Sequence, residues 1–400
     1  MSENSRRRVI TSLLAGLSAS AVVLAGCSSD VEGDIDAGMG NATPVPAASP
    51  AAPDTAIGKA KKIDEGITDA VLVGDRVVLK AGDKIFAGPL NNPIERSTKL
   101  DAKCGELAPG GPTALLPCED GIHVITDQAT EAAVVGRGTN YSAAVGLEGG
   151  RIIGAHADSN VIDVFGADGE LASDFKAANN GSQLVEIPDA DSDADVKLLE
   201  VNRPETSVHE LKLDESRAGS ALRAGIGVGK VASGDHVIAA ADTKGNQLLI
   251  YTATDIIRLH QAAPAPEAPW AVAVDESRGI VWVTSTKVNK LTGYDISSGT
   301  PVKVADINTV ADPQSVVATE DGQIGVFSAT GDGAQIFDSA DVDKAIADFK
   351  QDAEKIREEM SVREPADKLP TGAGDTKGAD DSEGETKSVS YTHLTLPTKA

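Results

Sequence analysis

Residues 268–304 read APWAVAVDESRGIVWVTSTKVNKLTGYDISSGTPVKV, and this stretch contains the clearest internal pattern of the sequence. Its four short runs are rich in β-branched and aromatic residues, and they are Trp270–Asp275, Ile280–Ser285, Lys290–Asp295 and Val302–Val304. Runs of this length, bounded by Gly, Ser and Asp, predict β-strands joined by tight turns. The stretch is therefore predicted to form a four-stranded unit of about 40 residues.

The same order of strands and turns returns in residues 314–337, and looser copies precede the first stretch. A single small sheet cannot bury both of its faces, so repetition at this period predicts a ring or stack of sheets. The units begin near Ile67, Cys104, Thr139, Ser182, Gly229, Ala268 and Ala311. We therefore predict an all-β fold, a seven-bladed β-propeller over residues 57–340, with six or eight blades as alternatives.

The best-defined unit resembles a known repeat. Val281–Ser285 (VWVTS), followed by Asn289–Leu291 and Tyr294–Ile296, is similar to the YVTN-type (WD40/YVTN repeat-like) unit of bacterial propellers, and Ala268–Asp275 resembles the Pro-containing first strand of that unit. The resemblance implies a seven-bladed propeller. This architecture occurs in lactonase-like enzymes, quinoprotein relatives and non-catalytic envelope proteins, so it does not decide the function.

The last unit shows only three strands after Ala311. Propellers often close by pairing the two ends of the chain within one blade. We therefore predict that Lys59–Ile63, or residues close by, supply the missing outer strand.

The N-terminus has the features of an export signal. Arg6–Arg8 precede an apolar run, Val9–Ala25, which is interrupted by Ser and Thr and is shorter than the roughly 20 residues of a transmembrane helix. Leu24–Cys27 (LAGC) resembles the bacterial lipobox, whose Cys is diacylglycerated and becomes the mature N-terminus. The resemblance implies a signal peptide over residues 1–26 and a lipoprotein, carrying palmitate or a related acyl chain at Cys27, on the extracytoplasmic face of the cell membrane. The arginines fit both Sec and twin-arginine export.

Composition and periodicity predict the segments outside the propeller. Residues 27–56 are rich in Gly, Ala, Pro and Ser and residues 363–388 are polar and acidic, so both are predicted to be disordered because they cannot bury enough surface to offset their ordering entropy. Residues 389–400 break abruptly from the acidic tail and resemble a translated sequencing adapter, so they are left out of functional reasoning. Residues 341–362 are predicted to form an amphipathic helix that packs on the propeller or, alternatively, on a partner or a second copy of the chain. Its apolar stripe consists of Val342, Ile346, Phe349, Ala353, Ile356 and Met360.

The chain is strongly acidic, which narrows the choice of partners. Its formal net charge is -25, from 36 Lys and Arg against 61 Asp and Glu, and removal of the signal, with its three Arg and one Glu, would bring the charge to about -27. This charge disfavours direct binding to nucleic acid and a broad electrostatic hold on an anionic membrane. The membrane contact we expect is therefore the lipid at Cys27.

Two cysteines remain after Cys27 is assigned to lipid. Cys104 and Cys118 are predicted to form a disulfide in an oxidising compartment, since the Gly- and Pro-rich segment between them can turn the chain back. A bridge that closes a loop of about 15 residues stabilises by roughly 3 kcal/mol in the chain-entropy model. A redox or metal pair is the alternative, but the spacing does not fit a CxxC motif.

An acidic run offers the main candidate for a metal site. Its carboxylates occupy positions that resemble the calcium-binding loop of an EF-hand, although Ala194 stands where the motif has Gly and a strand follows. The alternative is a solvated acidic loop, and no other cofactor is evident. The candidate Ca²⁺ ligands are Asp189, Asp191, Asp193, Asp195 and Glu200.

No catalytic motif stands out in the sequence. The propeller histidines are scattered singly. Asp275, Asp295 and Asp306 cannot be assigned to catalysis from the sequence, so no catalytic residue is proposed. We predict a monomeric, lipid-anchored, non-catalytic binding or scaffold module for an envelope protein or glycan. The alternative is a metal-dependent lactonase-like or quinoprotein-like enzyme. Acidic, amide or His side chains that converge at one mouth of the channel favour the enzyme, and a lining of Ala, Val, Ser and Gly favours binding.

Overall fold

The chain forms a ring of seven four-stranded antiparallel sheets, which confirms the predicted seven-bladed propeller. The structure is a computed structural model. It describes residues 43–53, 57–187, 197–234, 236–253 and 256–362, with the backbone alone over 357–362. The first strand in the chain, β1 (Lys59–Lys61), belongs to the last blade.

Blades 1 to 4 each consist of four strands in chain order, with the first strand innermost. Blade 1 contains β2 (Asp69–Val73), β3 (Arg76–Ala81), β4 (Lys84–Pro89) and β5 (Arg96–Lys99), and blade 2 contains β6 (Ala108–Pro109), β7 (Ala114–Cys118), β8 (Gly121–Ile125) and β9 (Glu131–Val135). Blade 3 contains β10 (Tyr141–Gly146), β11 (Ile152–His156), β12 (Val161–Phe165) and β13 (Leu171–Lys176), with a short 3-10 helix (Glu148–Gly150) after β10, and blade 4 contains β14 (Gln183–Ile187), β15 (Lys197–Asn202), β16 (Ser207–Lys212) and β17 (Arg217–Arg223).

Blades 5 and 6 follow the same plan, and blade 7 closes the ring. Blade 5 contains β18 (Val228–Gly234), β19 (Val237–Asp242), β20 (Gln247–Thr252) and β21 (Arg258–Pro264), and blade 6 contains β22 (Pro269–Asp275), β23 (Ile280–Ser285), β24 (Lys290–Asp295) and β25 (Val302–Asn308). Blade 7 contains β26 (Pro313–Ala318), β27 (Ile324–Ser328) and β28 (Ala334–Phe337). Its outer strand is β1, which pairs with β28 in the register Lys59↔Ile336, so the predicted closure by the N-terminal segment is confirmed.

The turn between β23 and β24 explains the Asn of the YVTN-like motif. Asn289 ends this turn with φ 51°, in the left-handed region that Asn tolerates better than most residues. Thr206 and Asn246 occupy the equivalent positions of blades 4 and 5, with φ 49° and 52°. The repeated position therefore has a backbone role in the turn that joins the second strand to the third.

The core lies between adjacent blades, where each sheet buries both faces. Trp282 at the centre of blade 6 is fully buried and faces Val316 and Phe337 of blade 7 within one apolar cluster. The first turns of the C-terminal helix α1 (Ser339–Val362) join this cluster through Val342 and Ala345. Among the described helices, none is long and apolar enough to cross a bilayer.

Residues 43–53, part of the segment predicted to be disordered, contain no helix or strand and contact blades 6 and 7. The amide N–H of Ala47 donates to the hydroxyl of Thr286 at 3.1 Å, and the Ser49 hydroxyl bonds to Asn289. Asn289 in turn donates to the carbonyl of Pro50 at 3.0 Å. Composition did not foresee this contact, because the polar partners lie more than 230 residues away in the chain.

Candidate functional site

A cavity of about 410 Å³ occupies the central channel and is lined by the inner strands of all seven blades. Its middle is apolar, because the strand positions that face it hold Val, Leu and Ala, among them Val71, Val145, Val185, Val231, Val272 and Val317. Polar side chains gather at the mouth where the inner strands begin. These are Asp69, Glu106, Gln183, Lys230 and Ser315.

An ion pair joins blades 4 and 2 at this mouth. Arg203 lies in the turn between β15 and β16, and Glu106 lies two residues before β6. The guanidinium donates to both carboxylate oxygens of Glu106 at 3.0 and 2.8 Å, and its Nε donates to the carbonyl of Gly229 in blade 5 at 2.8 Å. The Arg203 side chain is only 9% exposed. This bidentate geometry fixes the planar guanidinium across blades that are not all neighbours in the ring.

A second ion pair joins blades 5 and 1, which are three positions apart in the ring. The Lys230 ammonium donates to Oδ1 of Asp69 and to the carbonyl of Thr68, both at 2.6 Å. The Lys80 ammonium lies 3.9 Å from Oδ2 of Asp69. Asp69 is 4% exposed. Two ion pairs therefore cross the mouth of the channel.

Neutral side chains complete this network. Gln183 accepts from Nη2 of Arg203 at 3.2 Å and donates to the carbonyl of Val231 at 2.6 Å. The Ser315 hydroxyl donates to the carbonyl of Thr68 at 2.9 Å. The inner strands of blades 1, 4, 5 and 7 are thus connected by side chains at one level of the channel.

The carboxylates at the mouth lie among cations of the same network, although the whole chain is acidic. Burial by itself would raise the pKa of Glu106, but the charges of Arg203, Lys230 and Lys80 hold that pKa below its ordinary value. Glu106 is therefore a carboxylate at neutral pH. Three cations, Lys80, Arg203 and Lys230, surround the two carboxylates, Asp69 and Glu106. Of these cations, only Lys230 lines the cavity.

The paired carboxylates at this mouth do not fit a metal site. A divalent cation in a propeller channel needs carboxylate or amide oxygens that are free to coordinate it. Both carboxylates here are held in ion pairs, and the neighbouring ammonium and guanidinium groups would repel a metal ion.

The predicted disulfide between Cys104 and Cys118 is present. The two residues face each other as an isolated bridge with Cα atoms 3.9 Å apart, and the N–H of Gly105 donates to the carbonyl of Pro117 at 2.7 Å. Glu106 follows directly, so the disulfide holds the segment that carries this carboxylate. Cys27, the predicted lipid site, lies outside the described residues.

The predicted Ca²⁺ ligands are described only in part, because the four aspartates of the acidic run, Asp189, Asp191, Asp193 and Asp195, lie outside the described residues. Glu200 lies in β15 and is fully buried, and no hydrogen-bond partner among the described residues reaches either of its carboxyl oxygens. Burial first, and then the charge of Glu205, raise the pKa of Glu200 to about 8.

His123, one of the histidines noted in the sequence, has an acidic partner on each ring nitrogen. His123 lies between Asp120 and Glu131, at 2.9 and 2.6 Å. Potential metal-ligating atoms of Cys118, Asp120 and His123 lie within 4.8 Å of one another, but the Cys118 sulfur is already bonded to Cys104. This cluster therefore lacks a free thiolate and does not form a metal site.

Asp275, at the end of β22, is likewise a structural residue. It accepts from Nη1 of Arg278 at 2.9 Å and from the indole N–H of Trp282 at 3.3 Å. These bonds tie the first turn of blade 6 to its buried Trp, and Asp275 does not line the channel cavity.

Sequence reasoning missed the charged mouth, although a signal was present. Asp69, Glu106 and Lys230 lie one or two residues after the predicted unit starts Ile67, Cys104 and Gly229. Aligning the units by these starts would have placed them at one level of the channel. Arg203 had no such signal, since it reaches the mouth from a turn between the second and third strands.

Comparisons with known proteins support the fold alone. No family model and no curated protein matches the chain. Among solved structures, the WD40 β-propeller domain of Doa1 is similar at 13% identity and a TM-score of 0.52, over 70% of this chain and 95% of that one. A chain of the Mitotic Checkpoint Complex matches at 10% identity and 0.56, over 74% and 98%, and Kuenenia stuttgartiensis hydrazine synthase at 12% and 0.56, over 70% and 97%. These likenesses show a β-propeller fold similar to that of a WD40 domain, and the similar structures include both an enzyme and a component of an assembly.

Proposed function

We propose that this protein is an exported, lipid-anchored binding module of the cell envelope that takes its ligand at the charged mouth of its central channel. The observation that carries this proposal is the network of Asp69, Glu106, Arg203 and Lys230, which holds charged side chains in fixed positions at one end of an apolar cavity. A preformed apolar cavity with a few convergent polar groups is the usual form of a ligand site.

The Lys230 ammonium, which lines the cavity, favours a ligand that carries a carboxylate or a similar anion on an apolar body. Such a ligand could belong to an envelope protein, a glycan or a small molecule. A metal-dependent lactonase-like activity has less support, because the acidic residues at the mouth are already paired with Arg and Lys. No observation in the channel points to a quinone cofactor.

Thermal unfolding of the full chain with a panel of small mono- and dicarboxylates tests the channel. Carboxylates with an apolar body should raise Tm for the wild type, and they should raise it less for Lys230→Gln, each compared with its own ligand-free Tm. Lys99→Gln is the matched control, because Lys99 forms an exposed surface pair with Asp83. An equal response of the two variants to every compound would refute binding at this mouth.

Fractionation of the producing cells tests the anchor. The lipobox-like sequence leads us to expect wild-type protein in the membrane fraction and a Cys27→Ala variant in the soluble exported fraction. Retention of Cys27→Ala on the membrane would contradict lipid attachment without touching the proposal for the channel.

A further inference from the structure

A polar cleft of about 450 Å³ lies between blades 3 and 4, beside the charged mouth. It is formed by the turn between β11 and β12, the connection from β13 to β14, and the turn between β15 and β16, which also carries Arg203. Five side chains in its wall contain oxygen, and they are Asn160, Asn179, Asn180, Asn202 and Glu205.

Three amide nitrogens of this cleft each donate one of their two N–H groups to an acceptor within the protein. Nδ2 of Asn160 and Nδ2 of Asn180 donate to backbone carbonyls of blade 3 at 2.8 and 3.1 Å. Nδ2 of Asn179 donates to Oε2 of Glu205 at 2.6 Å. These acceptors cannot donate, so each amide is fixed with Oδ1 on its other side. Among the described residues no donor reaches the Oδ1 atoms of these three asparagines, so these three oxygens are open to a ligand.

Glu200 provides an independent indication. It lies two residues before Asn202 in β15, so both side chains are on the same face of the strand. Glu200 is 0% exposed, and both of its carboxyl oxygens lack a partner among the described residues. A Cβ on Gly181 would lie 3.0 Å from its Oε1, so this oxygen sits against the residue that follows Asn180 in the cleft wall. A buried carboxyl group without a partner destabilises the fold, and a cation beside it would supply the missing partner.

We propose that the cleft between blades 3 and 4 is a Ca²⁺ site. The side-chain oxygens of Asn160, Asn179, Asn180 and Glu205 are its ligands, and the buried carboxyl group of Glu200 lies beneath them and releases its proton when the cation binds. Ca²⁺ takes 6–8 oxygen ligands in flexible geometry, so water and backbone carbonyls complete the shell. This site is separate from the acidic run of residues 189–195, which adjoins the beginning of β15, whereas Asn202 ends that strand.

Calorimetric titration of the full chain with CaCl2, with MgCl2 at matched ionic strength as a comparison, tests the proposal. We expect a Kd of about 0.1–1 mM, the range of extracellular Ca²⁺ modules. Glu205→Gln should weaken binding at least tenfold, and the isosteric Glu200→Gln should weaken it several-fold. Glu215→Gln, at an exposed glutamate in blade 4, is the matched control and should bind like the wild type.

Two results would overturn the proposal. One is an absence of heat and of any thermal shift with the wild type up to about 10 mM Ca²⁺, well above that range. The other is full binding by both Glu205→Gln and Glu200→Gln. A double variant, Asp191→Asn with Asp193→Asn, should leave binding unchanged, and a loss of binding in this variant alone would move the site to the acidic run.

Discussion

Replacing Arg203 with methionine tests whether the ion pair across the channel mouth stabilises the ring. The substitution removes two hydrogen bonds to Glu106, one to the carbonyl of Gly229 and one to Gln183, and it leaves the Glu106 carboxylate without its bidentate partner. Removing one side of a buried pair costs about 3–5 kcal/mol. Because the Glu106 side chain is 32% exposed, we expect the lower end, a loss of about 3 kcal/mol in the free energy of unfolding. For a domain of this size the loss corresponds to a fall of about 6 °C in Tm.

Urea unfolding of Arg203→Met, Glu106→Gln and the double variant measures the coupling. The double variant should be more stable than the sum of the single losses implies, with a coupling free energy of about 2 kcal/mol. Arg217→Met is the control, since Arg217 pairs with Glu215 on the exposed surface and should contribute no more than about 0.5 kcal/mol. A loss below about 1 kcal/mol for Arg203→Met, or strictly additive losses, would show that the ion pair does not stabilise the ring.

The ion pair between Arg203 and Glu106 makes the free energy of unfolding depend on pH. The neighbouring cations hold the pKa of Glu106 below its ordinary value in the folded protein. The stabilisation is therefore present above the unfolded pKa, about 4.3, and is lost as the pH falls through the lowered folded pKa. The difference in stability between the wild type and Arg203→Met should be widest at neutral pH and should narrow in acid.

Three further outcomes are expected. Replacing Cys104 and Cys118 together with serine should cost about 3 kcal/mol in urea unfolding, and dithiothreitol should then change the wild type but not the variant. A chain that begins at Asp64 lacks β1 and should melt more than about 5 °C below a control chain that begins at Ile57; equal melting temperatures would contradict closure by this strand. Glu200→Gln should remove a pH effect, because the pKa of Glu200 is raised from 4.5 to about 8. The wild type should lose stability as the pH rises between these values, and the variant should show a flatter profile over the same range.

The fold could be predicted because the repeat imposes the same pattern on every blade. Trp270–Asp275 and Ile280–Ser285 mark two strands with a turn between them, and the spacing of the other units follows from this pattern. Closure by β1 was also predictable, since the last unit lacks one strand and a propeller does not leave that edge open.

The candidate site was less predictable, because its contacts are long-range. A repeat assigns Lys230 to a level of the channel but does not say that its ammonium reaches Asp69 on the far side of the ring. The contact of Ser49 with Asn289 could not be predicted for the same reason. A Pro- and Ala-rich composition indicates how the segment behaves in isolation, but it does not indicate which distant residues the segment contacts in the folded protein.

Because β1 pairs with β28, the ring can close only after nearly the whole propeller has been synthesised. Lys59 leaves the ribosome about 280 residues before its partner Ile336, which at 5–20 residues per second is a wait of roughly 14–56 s. Throughout that interval the ring stays open and two strand edges remain unsatisfied, and such edges are templates for aggregation. A chain that stops before blade 7 cannot close the ring, so the strand edges of a truncated product stay unpaired and accessible to chaperones and proteases. Completion of the last blade is thus the step that distinguishes a closed propeller from an open chain that is subject to degradation.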